Sequence, residues 1–297
     1  MLRARTTALD TASQGSSTTS SGAAAVRDRV VGEVMHPVIG PTTEAEALYV
    51  GQSRLAERLG GPGGRLVLFD VGLGAGANAL AALRAARAVG PGSRPLEVVS
   101  FEHDTGALAL AASEEGAGRL GLSPEDVHAA RTLLAVGYHA EERLSWRLVP
   151  GDAVEALRSR TERAESARAE VVFWDPFSPA VNSELWTVDA FSALRAACGP
   201  RAVVFTYSTA TSARSALLLA GFFVGVGDPS GPKEQTTAAA CDGADLARPL
   251  DGRWLERLLR SSAPLPGGVP GGALDLIRAH PQFADRSDGS KARSRGD

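Results

Sequence analysis

The sequence predicts an α/β protein with a Rossmann-like sheet of seven strands, mostly parallel, ended by an antiparallel hairpin and flanked by helices. Three observations carry that expectation. Five short apolar runs, at 65–71, 96–101, 144–149, 171–174 and 201–207, alternate with segments of helical periodicity, and such alternation builds parallel sheets through right-handed crossovers. The first run leads directly into Gly72-Leu73-Gly74-Ala75-Gly76-Ala77-Asn78. Strand, glycine loop and helix in that order let the backbone approach a nucleotide cofactor with no Cβ in the way. Two further runs, 221–226 and 236–240, flank Asp228-Pro229-Ser230-Gly231-Pro232-Lys233 and read as a closing hairpin.

The 297 residues are 44% hydrophobic and 22% charged, which suits one domain of roughly 200 to 250 residues with tails. Residues 1–27 carry too little apolar surface to offset their ordering entropy and are expected to be a disordered tail. The domain then spans 28–240, and 241–297 form an appendage with a helical pattern at 254–259 and a Pro/Gly-rich piece at 263–272. A net charge of -3 supplies no overall field for nucleic acid. Cys198 and Cys241 lack CxxC spacing, so neither a metal centre nor a disulfide framework is expected, and a cytoplasmic location fits. No apolar run approaches the roughly 20 residues of a membrane helix, and the Ser/Thr-rich N-terminus lacks the apolar stretch of a secretory signal.

Along the chain, Thr43 can cap a helix over 43–59, with Leu48, Leu55 and Leu59 at helical spacing and Tyr49 and Gln52 on its other face. The glycines of 60–64 break it. Asp70 ends the first strand just ahead of the glycine loop. The second strand ends at Glu102, placed to accept hydrogen bonds from both hydroxyls of a ribose, with an exposed strand end as the alternative. One helix is expected over 105–119 and another from Ser123-Pro124. His103, His128 and His139 show no metal-ligand spacing. Asp152, after the third strand, caps the next helix or reads an adenine edge, and the two roles are compatible. Residues 158–170 read as solvated surface. Thr187 caps a helix over 187–197, and a last helix, 212–219, follows the fifth strand.

The stretch 171–187 is the most informative. It opens as a buried parallel strand, stops at Asp175, and passes through Pro176 and Pro179, which forbid both strand and helix. A carboxylate therefore stands at the carboxyl end of a strand, the edge where α/β sheets bind ligands. Asp175, Pro176 and Phe177 form a niche of acceptors and one aromatic face that suits an amine, and an ordinary strand-to-loop turn is the competing reading. Phe177 and Trp186 could stack on a nucleobase, or Trp186 could pack in the core.

The motifs Tyr49-Val50-Gly51-Gln52, Asp70 to Asn78, Ser100-Phe101-Glu102, Gly151-Asp152-Ala153, Asp175 to Thr187 and Gly231-Pro232-Lys233-Glu234 fall in order over about 33–240. Together they resemble class I S-adenosylmethionine-dependent methyltransferases, and more narrowly the methyltransferase half of MnmC-type tRNA-modification enzymes and its stand-alone relatives. The resemblance implies S-adenosyl-L-methionine as cofactor, held by Asp70, Gly72, Gly74, Gly76, Asn78, Glu102, Asp152 and Asp175, with no metal. It implies a tRNA partner, methylated on the aminomethyl nitrogen of the wobble uridine, with Tyr49, Gln52, Phe177, Trp186 and Lys233 on the substrate side and Asp175, Pro176 and Phe177 at the reacting centre. Two-part relatives carry an FAD-dependent oxidase, for which these residues leave no room, so the stand-alone type without FAD is expected. A small-molecule amine as acceptor and a non-catalytic Rossmann-like binding protein are the alternatives.

Overall fold

A computed structural model describes residues 14–18, 24–28, 44–163, 167–229, 234–269 and 271–284. Within the segment expected to be a tail, β1 (Gln14–Thr18) and β2 (Ala24–Asp28) pair antiparallel, Gln14 opposite Asp28. The main sheet holds β3 (Leu66–Val71), β4 (Leu96–Glu102), β5 (Tyr138–Ala140), β6 (Leu144–Pro150), β7 (Ala169–Trp174), β8 (Cys198–Thr206), β9 (Phe223–Gly227) and β10 (Thr236–Ala240). Their spatial order is β5-β6-β4-β3-β7-β8-β10-β9. Five central strands run parallel, and β9 and β10 add the antiparallel hairpin. The sheet thus has eight strands where the sequence predicted seven. The extra one, β5, is three residues long and antiparallel to β6, too short to show alternation.

Strand period divides the core into two layers. Val67, Phe69 and Val71 of β3 face one layer with Leu157, Phe191 and Leu217, whereas Leu66 and Leu68 face the other with Leu80, Leu83 and Leu133. Helices Ala153–Glu162, Val188–Ala197 and Thr211–Leu219 cover the first face, and Ala77–Val89 and Pro124–Val136 the second. Asp70 shares the face of Leu66 and Leu68, and its burial is complete.

Two expected helices are divided. The first becomes a π-helix, Ala45–Gly51, and an α-helix, Leu55–Gly60, separated at Arg54 with φ 51°. A π-turn in this place shifts side-chain register at the sheet edge, as such turns do at many functional sites. The second becomes Gly106–Ala111 and Glu114–Leu120, divided where Ser113 caps the second piece by accepting from the Gly116 N–H. The appendage packs into the first core layer through Trp254, Leu258 and Ile277. It also covers the outer strand: Gln282 accepts from Val224 N at 2.7 Å and donates to Val224 O at 2.7 Å, satisfying an edge that would otherwise be open to strand pairing.

Asp126 joins the two helices of the second face. It completes a capping box with Ser123 at the start of Pro124–Val136 and accepts from Arg84 Nε and Nη2 at 3.0 and 2.7 Å. Burial pushes its carboxyl upward, but the hydrogen bonds from Arg84 and Ser123 outweigh burial and hold it below the usual range. A depressed folded pKa gives stability that is present above the unfolded value of about 3.9 and is lost as pH falls through the folded one. Arg84→Met should therefore lower unfolding free energy by about 2 kcal/mol at pH 7, read by urea denaturation. The gap from wild type should close below about pH 4, as Asp126 takes up its proton. A gap independent of pH would assign the loss to packing instead.

Candidate active site

The glycine loop and the end of β7 meet at the carboxyl edge of the sheet. Asp175 N donates to Val71 O at 2.8 Å and Gly72 N to Phe101 O at 3.1 Å, so pairing continues past the strand ends. Gly72 adopts φ +88°, and a Cβ there would stand 2.6 Å from the Asp175 carbonyl oxygen. Only glycine allows that approach. Gly74 and Gly76 continue the loop, and Gly76 is the N-cap of Ala77–Val89.

The Asp175 carboxylate is gripped from two elements. The Tyr49 hydroxyl, on the π-turn, donates to Oδ1 at 2.6 Å, and Asn78 Nδ2, in the first turn of Ala77–Val89, donates to Oδ2 at 2.8 Å. Tyr49 is 0% and Asn78 2% exposed. Burial, followed by the charge and hydrogen bond of Asp175, pushes the Tyr49 phenol well above its ordinary range, so it stays protonated and donates. Because an ionised carboxylate only accepts, the Asn78 amide nitrogen must face Asp175. Its Oδ1 then points elsewhere, buried and without a hydrogen-bond partner among the described residues.

Glu102 lies at the end of β4 beside this loop. Its carboxylate accepts from Gly74 N at 3.0 Å, His103 N at 2.7 Å and Asp104 N at 3.0 Å. Burial raises its pKa, and these three backbone donors oppose the rise. Glu102 thus ties its strand end to the glycine loop. Asp152 caps Ala153–Glu162 by accepting from Glu155 N at 2.8 Å. It rims a groove of about 950 Å³ whose walls include Glu155, Glu184, Val188 and Leu276.

Other predicted residues have different surroundings. Asp70 lies inside the sheet, accepting from Ser100 Oγ at 2.7 Å, which in turn accepts from Trp146 Nε1 at 2.9 Å. It braces the strand beneath the loop and does not reach the surface. Trp186 is 3% exposed, edge-on to Phe191 and Tyr207, and its indole N–H donates to Phe177 O at 2.9 Å. That is the packing reading, so it offers no face to a base; its role is to hold Phe177. Gln52 points to the closing hairpin, donating to Thr236 Oγ1 at 3.1 Å and accepting from Asp228 N at 2.8 Å, so it clamps the loop ends. Lys233 lies outside the described residues. Tyr207, which motif reading passed over, donates to Pro176 O at 2.9 Å and fixes the turn after Asp175; a polar aromatic residue at a strand's carboxyl end was the available signal.

Among the described residues no group of three or more His, Cys, Asp or Glu is arranged to hold a metal ion, and no helix is long and apolar enough to cross a membrane.

Residues 128–242 match a family model described as S-adenosyl-L-methionine-dependent methyltransferase. The chain is 28% identical over 288 residues to the tRNA 5-methylaminomethyl-2-thiouridine biosynthesis bifunctional protein MnmC of Pseudomonas aeruginosa (strain UCBPP-PA14), covering 88% of this chain and 42% of that protein. It is 30% identical to the protein of the same name from Methylibium petroleiphilum, covering 75% and 34%. The chain therefore spans less than half the length of these curated relatives. The crystal structure of MnmC2 from Aquifex aeolicus superposes with a TM-score of 0.69 at 26% identity, covering 90% of this chain and 83% of that one. These findings bear out the MnmC-like resemblance and the class I methyltransferase fold.

Gly72→Ala tests the close approach. Its positive φ and its contact with Asp175 backbone should together cost at least about 2 kcal/mol of stability, read by thermal unfolding, and calorimetry should find S-adenosylmethionine binding weakened at least tenfold. Gly90→Ala, also at positive φ but with nothing within 4 Å of a new Cβ, should lose stability alone and keep cofactor affinity.

Proposed function

We propose that this chain, an MnmC-like S-adenosylmethionine-dependent methyltransferase, methylates the aminomethyl nitrogen of a wobble uridine in tRNA, giving the methylaminomethyl nucleoside, in the cytoplasm. The relatives named for that biosynthesis supply the substrate class, and the observation that carries the chemistry is the Asp175 carboxylate pinned between Tyr49 and Asn78 against Gly72.

The residues present fit the cofactor. Asn78 Oδ1 is a buried acceptor with no donor among the described residues, beside a carboxylate, and such a pair is satisfied by a cation. Gly72, Gly74 and Gly76 would lie along the cofactor's tail, Glu102 at its ribose and Asp152 at its adenine edge, while Asp70 supports the loop from beneath. When bound, S-adenosylmethionine supplies an electrophilic methyl group on a positively charged sulfur.

The chain's own residues then orient the acceptor. A primary alkylamine is mostly protonated near neutral pH, and its lone pair must be freed before the N–C bond forms and the C–S bond breaks. Asp175 would accept a hydrogen bond from the amine and orient its lone pair, and the proton that the ammonium loses would pass to solvent. Tyr49, held protonated, cannot take that proton; it fixes the Asp175 rotamer. Pro176, anchored by Tyr207, and Phe177, anchored by Trp186, fix the rim, and Phe177 offers its ring to the uridine.

Methyl transfer should be followed with radiolabelled S-adenosylmethionine on tRNA bearing aminomethyl-uridine at the wobble position and on the same tRNA lacking it. Label should enter only the first. Asp175→Asn should lower kcat/KM by about 10² to 10⁴, whereas Tyr49→Phe, which leaves the carboxylate in place, should lower it by about tenfold. Equal labelling of both tRNAs would move the target away from the aminomethyl group, and labelling of neither, with a small amine labelled instead, would favour a small-molecule acceptor.

A further inference from the structure

Arg214 is a buried cation with no anion paired to it among the described residues. It lies in the first turn of Thr211–Leu219 and is 5% exposed. Its Nε donates to Thr237 Oγ1 at 2.9 Å and Nη2 to Thr236 O at 3.0 Å. Nη1 makes no hydrogen bond with any described residue, yet it is not among the nitrogens sealed from the surface, as those of Arg143 and Arg160 are. No carboxylate among the described residues comes within ion-pair distance of it. Burial, and then the charge of Arg257, brings its pKa down to about 10, so the guanidinium still carries its charge at neutral pH. Arg257, exposed on Gly252–Leu259, has no carboxylate partner among the described residues either.

Burying a charge is unfavourable unless a counter-charge offsets it. The positive charge of Arg257 disfavours the charged form of Arg214 further, and no carboxylate among the described residues pairs with either group. A ligand anion removes both penalties, and a guanidinium is shaped to bind phosphate through paired N–H groups. The place is also apt. Thr237 Oγ1, which accepts from Arg214, donates to Ser208 O at 2.6 Å, and the adjacent Tyr207 holds Pro176. Arg214 is therefore coupled by hydrogen bonds to the turn that carries the reacting edge.

We propose that Arg214, with Arg257 outside it, receives a backbone phosphate of the RNA that carries the target uridine. This rests on the RNA reading above and names a specificity-determining contact for it: the pair reads the phosphate chain, which a free amine or nucleoside lacks, and compensates for a net-acidic chain.

The test is fluorescence anisotropy of a labelled RNA anticodon stem-loop with an unmodified wobble uridine, titrated across a range of salt concentrations. For each lost phosphate contact the slope of log affinity against log salt should fall by about 0.7 to 0.9. Arg214→Gln should show that change together with about tenfold weaker binding, Arg257→Gln a change in the same direction, and Arg214→Lys partial recovery. Thermal unfolding and S-adenosylmethionine binding should stay at wild-type values in Arg257→Gln, which keeps the test decisive if Arg214→Gln folds poorly. An unchanged slope in Arg257→Gln and in every folded Arg214 variant overturns the proposal. Wild-type protein that binds RNA through these arginines yet methylates no tRNA would overturn the proposed function and leave the phosphate contact standing, whereas tRNA methylation with unchanged slopes would do the reverse.

Discussion

The site depends on one carboxylate held still. Asp175 leaves β7 with its N–H on Val71 and its carbonyl pressed against Gly72, and its two side-chain oxygens are taken by Tyr49 and Asn78. Those contacts come from three places in the chain, and the proline after Asp175 adds a fourth constraint. A π-turn presents Tyr49, a helix start presents Asn78, a glycine accepts the backbone, and Pro176 fixes the turn beyond the strand. Moving any of them would release the rotamer on which the proposed alignment of the acceptor amine rests.

The surrounding structure serves that edge. Beneath it, the buried chain from Trp146 through Ser100 to Asp70 locks the parallel strands in register. Beside it, the buried Trp186 and the half-buried Tyr207 each use their one polar side-chain atom on a carbonyl, of Phe177 and Pro176 respectively, and so fix the rim's backbone. Across it, Gln52 closes on the β9–β10 loop through Asp228 and Thr236. The appendage packs on the first core layer and caps the outer strand at Val224, and its Leu276 also walls the groove that Asp152 rims.

Much of this was legible in the sequence, for physical reasons. Strand runs buried on both faces, such as 66–71, and a glycine loop are local signals, so the parallel order and the carboxyl edge could be read directly. Asp175 was legible because two prolines stop its strand. What escaped was long-range or conformational. Nothing near Tyr49 shows that its hydroxyl meets a carboxylate 126 residues away, nor that leucines at helical spacing accommodate a π-turn. Trp186 and Gln52 sit in motifs that suggest substrate contact, but side-chain direction, which decides between a base and a carbonyl, is set by tertiary packing. Asp152 looked equally apt as a cap or a ligand, and its hydrogen bond to Glu155 N satisfies the first role without excluding the second.

The central claim is that Asp175 aligns an aminomethyl nitrogen for methylation. The most direct measurement is mass spectrometry of nucleosides digested from aminomethyl-bearing tRNA after incubation with the enzyme and S-adenosylmethionine. The account predicts a wobble nucleoside heavier by one methyl group, with fragmentation placing that methyl on the side-chain nitrogen. A methyl group on the ribose or on a ring atom of the base, formed by the same enzyme and lost in Asp175→Asn, would contradict it.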